Sequence, residues 1–114
     1  MITNLDYLHQ MTGNDSKMIK ATIELFLHQL AEMRDGFELL LKNKNWLEIS
    51  RLAHKVKSSA LVMGIEQMAD EMKELELLSK EGKNVEKYPE YVARFNSMAD
   101  LIEAEMIMYL DLDD

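Results

Sequence analysis

Hydrophobic residues return every three or four positions along most of this chain, and the places where that rhythm breaks divide it into segments. Leu5, Leu8 and Met11 suggest a short leading helix that Gly13 ends, with Asn14 or Asp15 placed to cap the next one. Met18, Ile19, Thr22, Ile23, Phe26, Leu30, Met33, Phe37, Leu40 and Leu41 then trace one stripe at the helical period. They predict a single long helix, with Gly36 as a place for a bend. The polar run 42–45 breaks the stripe and is short, so the following helix should return as an antiparallel neighbour.

That third segment, about Trp46 to Met63, puts Ile49, Leu52, Ala53, Val56, Ala60 and Met63 on one broad face, and Gly64 closes it. Ile65, Met68, Ala69, Met72 and Leu75 repeat the pattern as far as Gly82. After a polar linker from Glu81 to Lys87, Pro89 suits a first helical turn, and Val92, Phe95, Ala99, Ile102, Met106 and Tyr109 form a last stripe. Helices with short connections and one apolar stripe each bury those stripes best together. The expected fold is all-α: an antiparallel up-down-up-down four-helix bundle with a short extra N-terminal helix, residues 1–114 forming one domain.

Composition narrows the function. One Pro and four Gly leave turn-rich β architectures without their punctuation. A net charge of -8, with no Lys/Arg cluster to offset it, repels nucleic acid and anionic lipid, so neither is an expected partner. The absence of Cys excludes disulfides, thiolate zinc sites and thiol redox sensing. No basic start with an apolar core opens the chain, and no apolar run is long enough to span a bilayer, so a cytoplasmic location is expected.

The sharpest signal is a histidine facing the wrong way. With Ile49, Val56 and Met63 at the centre of the buried face, the helical turn of about 100° per residue puts His54 nearly opposite. Leu47, Ser50, Arg51, Lys57, Ser58 and Leu61 are placed around it on the same outer face. An exposed histidine is ordinarily just a solvated polar residue. Here Leu47 and Leu61 flank it with apolar surface suited to docking, while Lys57 and Ser58, one turn on, could reach an anion carried by the ring.

The run Arg51-Leu52-Ala53-His54-Lys55-Val56-Lys57-Ser58-Ser59-Ala60-Leu61-Val62-Met63-Gly64 resembles the signature of histidine-containing phosphotransfer (HPt) domains, A-H-x-L-K-G-S-S-x-x-x-G. Ala53, Lys57, Ser59 and Gly64 fall at matching positions. Leu5-Asp6-Tyr7-Leu8 before the Thr-Gly-Asn-Asp turn, and then Glu24-Leu25-Phe26-Leu27, are similar to the family's opening. The resemblance runs to about Gly82, beyond which the last helix matches only as a generic amphipathic one. Val56 replaces the usual Leu, and Ser58 stands where the family has Gly, a change that bears on rate and partner fit through crowding or a hydrogen bond.

The resemblance implies a phosphoryl carrier. A receiver domain's aspartyl phosphate would donate to His54, with Lys57 stabilising the phosphoryl group, and the phosphohistidine would pass it to another receiver. Leu47, Ser50, Arg51, Ser58 and Leu61 would meet response-regulator receivers or hybrid sensor histidine kinases. No cofactor is expected on this chain, since the family places Mg²⁺ on the receiver, and a monomer is expected. No glycine-rich phosphate loop is present, so the phosphohistidine should not be made from ATP here.

Two rivals remain. A di-metal bundle would need paired Glu-x-x-His repeats, and only a single Asp6-x-x-His9 and the Glu24/His28 spacing occur. A non-transferring helical adaptor is the alternative, its ten Met lining an adaptable groove, but Met18, Met33, Met63, Met68 and Met72 fall on the core stripes.

Overall fold

A computed structural model describes residues 3–112, and every element among them is helical. They are α1 (Asp6–Thr12), α2 (Ser16–Lys42), α3 (Trp46–Val62), α4 (Glu66–Glu81), a 3₁₀ turn (Val85–Lys87) and α5 (Tyr88–Leu112). Local chemistry sets the boundaries. The Asp15 carboxylate accepts from the backbone N–H groups of Lys17 and Met18 at 3.0 and 3.3 Å, satisfying donors that the first turn of α2 leaves open. Asn45 accepts from Glu48 N–H and starts α3 in the same way. The 3₁₀ turn is an addition to the expected linker.

The long helices share one core. α2 lies against α3 and α5, α4 lies against the same two, and α1 rests on α2. Ile23, Leu30, Phe37, Ile49, Val56, Met68, Met72, Leu75, Phe95 and Ile102 are almost wholly removed from water. Phe37 meets Phe95 edge to face at 5.2 Å, and farther back along α2 Arg34 reaches Asp100 and Glu103. On the other side, the buried Tyr88 hydroxyl lies 2.9 Å from the Leu78 carbonyl and 2.6 Å from that of Lys83, fastening the end of α4 to the start of α5. Gly36 brings α2 close to α3: a side chain there would stand 3.0 Å from Leu52.

Most of the predicted stripes are buried; Met11 of the short leading helix is exposed instead, and a second correction falls on α2. Met18, expected in the core, is exposed, because the buried line of α2 runs through Ile19, Ile23, Phe26 and Leu30, and Met18 sits a hundred-degree step to its side. Met33, Met63, Met68 and Met72 are buried. No helix among the described residues is long and apolar enough to cross a membrane.

Candidate functional site around His54

α3 is wedged between α2 and α4, and His54 emerges from its outer side with 58% of its side chain exposed. Leu47 and Leu61 are exposed on the same helix, and so is Arg51, whose guanidinium is occupied by Glu48. Ser58 is exposed too, and its hydroxyl donates to the His54 carbonyl at 3.2 Å. Serine commonly makes this bond back to the preceding helical turn.

Ser50 departs from the expected arrangement. It is buried, and its hydroxyl donates to the backbone carbonyl of Glu76 on α4 at 2.9 Å. The buried arc of α3 is wider than a single neighbouring helix would make it, because α4 covers the flank where Ser50 lies. Ser50 is therefore no part of an accessible docking face. It pins α4 at the residue whose side chain serves the site.

That residue, Glu76, has no counterpart in the sequence reading. One carboxylate oxygen lies 3.1 Å from His54 Nδ1 and the other accepts from Lys57 Nζ at 3.1 Å. Glu76 and Lys57 are each about one-fifth exposed, at 22% and 23%. Burial raises the affinity of the Glu76 carboxyl for a proton, but hydrogen bonds from Lys57 and His54 and the charge of Lys57 outweigh it, leaving the group below the usual carboxylate range. Since a carboxylate can only accept, Nδ1 carries the proton in this contact, and it is the Nε2 edge that can present a lone pair.

A lowered carboxyl fixes the sign of a pH effect. The carboxylate favours the folded state at pH values above its unfolded pKa, and that contribution is lost as pH falls through the lower folded value. Glu76→Gln should therefore melt below wild type at neutral pH, with the gap closing on acidification below about pH 4.5. Thermal midpoints of both proteins between about pH 3 and pH 7 check this, and a gap independent of pH would reject it.

The other histidines are engaged elsewhere. His9 Nδ1 lies 3.1 Å from the Asn14 side-chain oxygen, and His28 Nε2 pairs with Glu32 at 3.0 Å. No group of three or more metal-binding side chains forms among the described residues.

A family profile described as Hpt domain matches residues 21–105, a span that holds His54, Lys57 and Glu76. The chain belongs to the Hpt domain family, and so to phosphorelay signalling among receiver domains and kinases. The match continues past Gly82 through most of α5, farther than the sequence resemblance reached, and leaves α1 outside it. No curated protein and no solved structure gives a match.

Proposed function

We propose that the protein is a histidine phosphotransfer carrier, accepting a phosphoryl group on His54 from a receiver's aspartyl phosphate and passing it to a second receiver. The observation that carries this reading is an exposed imidazole whose Nδ1 is held by Glu76, leaving Nε2 as the free nucleophilic edge. The Nε2 lone pair forms the N–P bond as the P–O bond to the aspartate breaks, and the carboxylate leaves with that electron pair. The proton stays on Nδ1 against Glu76, whose charge offsets the positive character the ring gains. Mg²⁺ belongs to the receiver, and this chain needs no cofactor or nucleotide of its own.

The scaffold for this role is an up-down-up-down bundle. Its support is the order of contacts: Arg34 with Asp100 and Glu103 but Phe37 with Phe95, and Tyr88 with Leu78 but Arg94 with Glu71, so sequence advances along one helix as it recedes along the next. Charge supports the choice of partner. On α3 Arg51 pairs with Glu48 and Lys57 with Glu76, leaving Lys55 beside His54 as a cation without an ionic partner among the described residues, which suits the acidic pocket of a receiver. We place it as a cytoplasmic monomer between hybrid kinases and response regulators.

The test is incubation with a panel of phosphorylated receivers and mapping of the labelled residue. Acid-labile, base-stable phosphate on His54 is the expected result. A receiver that docks without labelling any residue would favour the adaptor alternative.

Leu61 should anchor docking. It lies two turns beyond His54, is 57% exposed, and adjoins Tyr7 of α1 along a shallow cleft. Leu61→Asp puts a carboxylate into that apolar contact and repels an acidic pocket, so receiver affinity should fall about tenfold. The thermal midpoint should hold. A large drop in midpoint with unchanged affinity would mean that Leu61 serves the core instead.

A further inference from the structure

The two flanks of His54 differ in what they offer an anion. On the α4 flank the Lys57 ammonium is already 3.1 Å from Glu76, the carboxylate that also holds Nδ1. A phosphoryl group placed there would meet a negative charge. The ring nitrogens project from opposite edges, so Nε2 faces away from Glu76.

On the α2 flank His54 lines a groove of about 530 Å³ with Gln29, Glu32, Lys55, Ser58 and Ser59. The side chains of Gln29, Lys55 and Ser59 have no hydrogen-bond or ionic partner among the described residues. They are an amide, an ammonium and a hydroxyl, all able to donate. Glu32, the one acid in the groove, is turned to His28 at 3.0 Å. Ser58 keeps its hydroxyl on the His54 carbonyl.

We infer that the phosphoryl group on His54 Nε2 is received in this α2–α3 groove and held by Lys55 with Gln29 and Ser59, while Lys57 acts as a positioning residue through Glu76. The inference rests on the carrier reading and adds to it which cation touches the phosphoryl oxygens. Lys57 then governs the orientation and tautomer of the ring. Lys55, next to His54 in sequence, supplies charge to the group itself.

Phosphoramidate, a small donor that needs no protein docking, tests this on the full chain, with ³¹P spectra of the labelled protein. Lys55→Gln should slow labelling about two- to fivefold, the range an exposed charge pair supports, and should move the phosphohistidine ³¹P resonance. Lys55→Arg should restore both. Lys57→Gln should leave the ³¹P resonance in place while altering the ¹⁵N signature of Nδ1. A ³¹P shift in Lys57→Gln with none in Lys55→Gln would overturn the assignment and leave His54 as carrier. Wild-type protein that takes no label on His54 would overturn the carrier reading and this inference with it.

Discussion

His54→Gln should take no phosphoryl group from any receiver while keeping its helical spectrum and its melting point. Glutamine preserves polarity and approximate length, and substitution at an exposed position of this kind moves stability by about 0.5 kcal/mol or less. What disappears is the ring lone pair, for which the rest of the chain offers no substitute. His28 sits on α2 paired with Glu32, and His9 on α1 faces Asn14, so neither is oriented by a half-buried carboxylate or set on α3. Labelling should fall to background, whereas receiver binding should survive, because Leu47 and Leu61 remain exposed. The measurement is acid-labile phosphate per chain together with receiver affinity. Residual stoichiometric label in the mutant would move the acceptor to another residue.

That expectation depends on a helical phase legible in the sequence. Ile49, Val56 and Met63 are buried as their spacing implied, and the same phase put His54, Leu47 and Leu61 outside. The phase fixed the centre of the buried face but not its width. Ser50 lies one hundred-degree step from Ile49 and would be open to water if α3 had only one neighbour; α4 covers it. Met18 shows the opposite error, a methionine counted into a stripe whose buried line passes through Ile19.

Glu76 was illegible for a different reason. It follows His54 by 22 positions on another helix, and the spacing rules that join i to i+3 and i+4 stop at the end of α3. In sequence it is one of many acids on α4, including Glu71 and Glu74, which instead meet Arg94 and Tyr91 of α5. Only the registration of α3 against α4, pinned by Ser50 on the Glu76 carbonyl, brings that one carboxylate between His54 and Lys57. Lys57 and His54 thus meet through Glu76, a shared partner that lay outside what sequence spacing reveals.

Gly64→Ala should cost more stability than any exposed substitution around His54. Gly64 follows α3 with φ at +67°, where an alanine is strained by about 1 kcal/mol. Its added Cβ would also stand 2.1 Å from the Asn4 carbonyl oxygen and 2.7 Å from Asn4 Cβ, so the backbone entering α1 would have to move. That segment is well fastened: Asn4 N–H donates to the Met63 carbonyl at 3.1 Å, Thr3 donates twice to Glu105 of α5, and Thr3 and Leu5 are buried. Strain and collision together should cost about 2 to 4 kcal/mol, lowering the midpoint by about 10 °C for a chain of this size. Gly82 supplies the control, since its φ of +66° imposes the same strain while nothing lies within 4 Å of its would-be Cβ. Gly82→Ala should therefore lose only about 1 kcal/mol, and the difference between the two variants isolates the collision with Asn4. Equal losses would show that the segment before α1 yields freely, in which case the hydrogen bonds of Thr3 and Asn4 contribute little to holding the end of α3 in place.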